Sequence, residues 1–202
     1  KKQASLKEKK KGSARLRSPQ WRFSLMLAVI AGIIICFNSI ISLRVPDIIV
    51  DARMGTATTA GTVLSLMQLT GIVAGVGFAS LTHVFKKNLL MIMCFGFGLA
   101  LTLIGLSGQL WSLVLGTLLA GFTYSTGVTS IFYHLSEKIP TNLLNLATSL
   151  VLIGCNLGSA VSSFFIQLVT PLAPSNHLLF VLIGVLMVGT GVFASQLLAR
   201  TK

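Results

Sequence analysis

A chain of 202 residues in which 53% are hydrophobic and only 10% are charged is unlike a soluble domain, where roughly a quarter of the residues carry charge. Water is therefore not the only solvent this chain is built for. The net charge of +12 invites a nucleic-acid reading, but eight of the 16 Lys and Arg residues fall within residues 1–17 and the rest are sparse, between apolar runs. A nucleic-acid domain spreads its basic residues over a folded polar face; here the charge is a tail.

Residues 1–22 form that basic tail, and residues 23–202 read as a six-helix bundle. A helix needs about 20 mostly apolar residues to cross a bilayer, and six runs qualify: 23–43, 58–81, 89–107, 111–132, 143–169 and 177–198. Polar or turn-forming stretches separate them at 44–57, 82–88, 108–110, 133–142 and 170–176; the last contains the helix breakers Pro171 and Pro174. The fold expected is an all-α membrane protein. The first run is too long for a signal-peptide core and further runs follow it. Lys, not Met, stands first, and the expectation is that the chain is a fragment whose start lies upstream. Cys36, Cys94 and Cys155 lie far apart inside apolar runs and read as small packing residues, not metal ligands.

Gly occurs 19 times, mostly within the runs, where small residues let helices approach closely in a membrane. Gly71 with Gly75 and Gly154 with Gly158 fit the small-xxx-small spacing. With six crossings both termini lie on one side. That side then holds the nine Lys and Arg of residues 1–22 together with Lys86, Lys87, Lys138, Arg200 and Lys202, against Arg44 and Arg53 on the other. Basic residues mark the cytoplasmic side, so both termini are expected there, most simply at the plasma (inner) membrane.

Transporters are often built from inverted three-helix repeats. Aligning Ala60-Gly61-Thr62-Val63-Leu64 with Ala147-Thr148-Ser149-Leu150-Val151 brings Gly71 onto Gly158 and Gln68 to within one place of Asn156. This is the expected signature of a 3+3 inverted repeat.

Six spans behind a long basic stretch resemble the C-terminal half of the major facilitator superfamily. Its members have twelve helices in two halves joined by a basic cytoplasmic loop. The resemblance covers the whole chain and equates the six runs with the family's helices seven to twelve. Asn38-Ser39-Ile40-Ile41-Ser42 with Arg44-Val45-Pro46-Asp47 resembles the seventh helix and its exit, and Ala60-Gly61-Thr62-Val63-Leu64-Ser65-Leu66 the start of the eighth. The family's turn motif reads G-x-L-a-D-R-x-G-R-K. The stretch Phe78-Ala79-Ser80-Leu81-Thr82-His83-Val84-Phe85-Lys86-Lys87 stands in its place. The basic pair Lys86 and Lys87 matches, while Thr82 replaces the acid and Phe85 the glycine.

Polar side chains inside a bilayer are costly and tend to face a partner or a cavity. Asn156, Ser159, Ser163 and Gln167 recur at helical spacing on one face of the fifth run. They read either as the lining of an aqueous path or as interhelical hydrogen-bond donors. Tyr124 reads as a ligand-stacking ring or a packed aromatic. Asn38 and Ser42 share a face of the first run, as Ser65 and Gln68 do of the second. The resemblance places the first, second, fourth and fifth runs around a central cavity. The candidate substrate-binding residues are then Asn38, Ser42, Gln68, Tyr124, Asn156, Ser159 and Ser163. Arg44 and Asp47, three apart, are candidates for gating or coupling, or form a plain interfacial ion pair. Lys86 and Lys87 are candidates for a conformational cytoplasmic turn, or form a plain topology-setting basic pair. His83, His134 and His177 fall at predicted helix ends, where snorkelling groups sit.

The expectation is a secondary active transporter that moves a small-molecule substrate by alternating access. Its partners would be membrane lipids and an N-terminal six-helix half or a second copy, with no nucleic acid, catalytic residue, metal or cofactor. A self-contained half transporter acting as a homodimer and a non-transport scaffold are the alternatives. The chain has four acidic residues, and none is paired with His at ligand spacing, which counts against a membrane enzyme. No filter-like loop favours a channel.

Overall fold

Where no water reaches the backbone, each segment must satisfy its own N–H and C=O groups, and a helix does this within itself. The computed structural model describes residues 18–85, 88–173 and 175–200. Among these residues it has six α-helices and no strand: α1 Ser18–Asp51, α2 Ala57–Phe85, α3 Leu89–Gly105, α4 Leu110–Lys138, α5 Thr141–Val169 and α6 Asn176–Arg200. Five are long and apolar enough to cross a membrane, and α3, at 17 residues, is the short one.

The six runs are therefore helices in the expected order; the second continues past Leu81 to Phe85, and two others run further still beyond what hydropathy indicates. The stretch 44–57 was expected as a loop, yet α1 continues through Pro46 to Asp51. Val45 and Ile49 are fully buried and Ile48 nearly so, so packing compensates for the hydrogen bond that Pro46 removes. The helix ends in a Schellman motif. Arg53 takes a left-handed φ of 52°, Met54 N–H donates to Ile49 O at 2.9 Å and Arg53 N–H to Val50 O at 3.1 Å. A reciprocal cap then opens α2: Thr59 N–H donates to Thr56 Oγ1, and Thr56 N–H to Thr59 Oγ1. The second correction is at 133–142. Helix α4 runs on to Lys138, and only Ile139 and Pro140 separate it from α5.

Three helix pairs organise the bundle: α1 with α5, α2 with α4, and α3 with α6; α4 also packs on α3. Glycine sets each crossing. A Cβ on Gly32 would lie 2.8 Å from Gly154 O, and one on Gly158 would run into Gly32 O. Ala28 meets Gly154 in the same way one turn earlier, so α1 and α5 are parallel. In α2 and α4, Met67 meets Gly121 and Gly71 meets Ser125, again in parallel. The third pair is antiparallel: Gly98 faces Gly184, Gly105 faces His177 and Phe180, and Gly191 faces Cys94.

Hydroxyl groups add to the α2–α4 contact. Thr70 Oγ1 shares its hydrogen between Met67 O of its own helix at 2.7 Å and Leu118 O at 3.1 Å, and Ser125 Oγ donates to Gly71 O at 2.9 Å. Interhelical bonds of this kind average about 0.6 kcal/mol and reach about 1.7 kcal/mol. We expect Thr70→Val and Ser125→Ala each to lower stability by about 0.6 kcal/mol in a denaturation titration of the detergent-solubilised chain. A loss well above 1.7 kcal/mol for either would contradict this reading of the contact.

Candidate functional site

Helix α5 carries three faces. Leu143, Ala147, Val151, Cys155, Ser162 and Ile166 are buried. Ile153, Leu157, Val161, Phe164 and Leu168 form an exposed apolar face. Between these two faces runs an exposed polar stripe: Asn142, Asn145, Ser149, Asn156, Ser159, Ser163 and Gln167. Steps of three and four residues keep the stripe on one side, except between Ser149 and Asn156, seven apart, where the exposed Leu152 interrupts it.

The stripe meets α1. Ser39 Oγ donates to Ser159 Oγ at 3.2 Å, a bond between side chains 120 residues apart. Beside it, Asn38 is partly buried, and its Oδ1 has no hydrogen-bond partner among the described residues. Ser42, one turn on, is exposed and donates to Asn38 O at 3.4 Å. Asn156 is exposed and turns its Nδ2 back to Leu152 O at 3.0 Å. Ser163 is exposed one turn beyond Ser159. The structure thus brings α1 and α5 together at Ser39 and Ser159, with Asn38 and Ser42 alongside on α1. Ser39 was not singled out among the candidates. Its signal in the sequence was its place between Asn38 and Ser42, one residue off the face those two share.

The other candidates are dispersed. Gln68 is exposed on α2, a helix whose principal partner is α4. Tyr124 is partly buried, and its ring tilts against Phe97 with centroids 6.3 Å apart, so it packs inside the bundle. Arg44 and Asp47 do pair, at 3.7 Å with side chains 30% and 53% exposed. They sit within α1 and not in a loop, and an ion pair this exposed contributes about 1 kcal/mol or less. Lys86 and Lys87 lie outside the described residues; Phe85 is the last residue of α2.

A buried histidine was missed because its burial is made by packing. His134 does not snorkel at a helix end. It is 3% exposed, one turn inside α4, with Nδ1 3.6 Å from Glu137 Oε2. Its Nε2 and the Oγ of fully buried Ser24 on α1 have no hydrogen-bond partner among the described residues. Lys138 Nζ lies 5.1 Å from the Phe23 ring centroid at the same end. At the opposite end, His177 Nδ1 bonds to Gly105 O, tying α6 to α3. A groove of about 400 Å³ between α2 and α4 is lined by Thr56, Thr58, Thr59 and Thr62 with Trp111. Among the described residues no three His, Cys, Asp or Glu side chains are grouped so as to hold a metal ion.

No family model matches this chain, and no curated protein matches it. The functional reading therefore rests on the geometry.

Proposed function

We propose that the chain is an integral membrane protein and one six-helix half of a solute transporter of the major facilitator type, working by alternating access. The observation that carries this reading is the uncovered polar stripe of α5, from Asn142 to Gln167. A polar face this long is costly against lipid, and it is accounted for by an aqueous path or a second helical body. Ser39, Asn38 and Ser42 extend the polar surface onto α1, so the substrate is a small polar or amphipathic solute held by hydroxyl and amide groups.

The helix pairing follows a 3+3 repeat in part, since the close α3–α4 contact has only a slight α1–α6 counterpart. Exchanging the first three helices for the last three, in order, carries the α1–α5 pair onto α4–α2 and returns α3–α6 to itself. Both exchanged pairs are parallel, and Gly71 and Gly158, equivalent in the repeat alignment, each lie at such a crossing. In this reading both termini are cytoplasmic, which the distribution of Lys and Arg supports, and the half rocks against its partner about the site.

The test is cysteine accessibility. In a chain whose Cys36, Cys94 and Cys155 have been replaced, single cysteines at Asn156, Ser159 and Ser163 are expected to react with a membrane-impermeant thiol reagent. Cysteines at Val161, Phe164 and Leu168 on the apolar face are expected to resist it. Since all six positions are exposed or on the helix surface, the substitutions leave the core intact. Protection of all three stripe positions would sink the aqueous path.

A further inference from the structure

We infer that the outward groove between α1, α5 and α6 is a binding site for an anionic glycerophospholipid, with one acyl chain in the groove and the phosphate at Arg22. The inference rests on the reading of the chain as membrane-embedded and not on transport. The groove has a volume of about 540 Å³, and Val29, Gly32, Ile33, Gly154, Val161 and Leu186 are among its lining residues. It exists because Gly32, Gly154 and Gly158 bring the two backbones into contact and leave no side chains to fill the flank beside the crossing.

Three observations select the occupant. The first is the chemistry of the wall: Thr190 is its one hydroxyl side chain, and that hydroxyl donates to Leu186 O at 3.0 Å. The wall therefore receives hydrocarbon and offers nothing to a polar solute. The second is length. Along α1 the groove runs from Leu25 to Phe37, about 18 Å at 1.5 Å per residue. One leaflet of a hydrocarbon core about 30 Å thick is about 15 Å, so the groove suits one acyl chain of one leaflet. The third is the cap. Arg22 continues the lining positions Leu25, Val29, Gly32 and Cys36 at steps of three and four, and Trp21 continues Leu25, Ala28 and Gly32. Both Trp21 and Arg22 are exposed. An arginine fork matches phosphate oxygens, and tryptophan favours the headgroup level.

The chain contains two tryptophans, so Trp111→Phe leaves Trp21 as the reporter. In lipid nanodiscs, phosphatidylglycerol brominated near the head of its acyl chain is expected to half-quench Trp21 at a mole fraction about fivefold lower than brominated phosphatidylcholine. That is the ratio given by about 1 kcal/mol per basic residue near an anionic surface. Arg22→Gln and, separately, Val29→Phe, which fills the groove from an exposed position, are each expected to abolish the preference. A preference that survives both variants belongs to the basic tail and overturns the site. One lost with Arg22→Gln but kept with Val29→Phe overturns the groove. If Trp21 escapes both lipids while Trp111, read in the Trp21→Phe variant, is quenched, protein covers the groove and the lipid site is wrong. If neither tryptophan is quenched by either lipid, the membrane reading itself falls.

Discussion

Gly158→Leu is expected to destabilise the bundle by about 3 kcal/mol, the upper part of the usual range for overpacking. A side chain at Gly158 runs into the Gly32 carbonyl, which belongs to the backbone and has no rotamer through which to yield. Helices α1 and α5 must therefore separate along a crossing that also includes Ala28 against Gly154. Separation weakens the Ser39–Ser159 bond at 3.2 Å and the Phe37–Phe165 ring contact at 5.7 Å. For a chain of this size 1 kcal/mol moves the unfolding midpoint by roughly 2–4 °C, so a fall of roughly 6–12 °C is expected in a thermal melt in detergent. Gly75→Ala and Gly189→Ala are the controls. Nothing lies within 4 Å of a Cβ at either position, and removing a helix-interior glycine stabilises by roughly 0.5–1 kcal/mol. A Gly158→Leu variant that melts with the wild type would show that the α1–α5 contact is looser than described.

Phe180→Ala is expected to cost about 2–3 kcal/mol, less than the 3–5 kcal/mol typical of a Phe→Ala change in a water-soluble core. Phe180 is fully buried on α6, where its Cβ lies against the position of Gly105 on α3. In water the loss combines a transfer term with a cavity term. Lipid tails are as apolar as the bundle interior, so the transfer term largely vanishes and the void remains. The comparison is Val76→Ala, at a position 84% exposed on α2, where no void forms and a change within about 0.5 kcal/mol is expected. Equal losses at the two positions, measured by denaturant titration in the same detergent, would contradict a close-packed α3–α6 contact.

The polar stripe of α5 was legible in the sequence because periodicity is local: Asn156, Ser159 and Ser163 share a face in any straight helix. The Arg44–Asp47 pair was legible for the same reason, being one turn apart. Tyr124 and Gln68 were not separable in advance. Each is a polar residue within an apolar run, yet Tyr124 packs toward Phe97 while Gln68 is exposed. His134 misled because hydropathy ended its helix too early; the turn containing Tyr133, His134 and Glu137 is polar by composition but helical and partly buried by packing.

By itself the sequence determined the number and order of the helices and the polar face of the fifth. Each apolar run must satisfy its own backbone where water is absent, and that is a property of the run alone. Tertiary structure decided which helices pair, that α1 runs on through Pro46, that Ser39 reaches Ser159 and that a groove opens beside Gly32. Inside a bilayer the lipid and the bundle interior are equally apolar, so hydrophobicity cannot distinguish a residue that faces lipid from one that faces a neighbouring helix. Close packing of particular small residues makes that distinction, and it exists only once the helices are assembled.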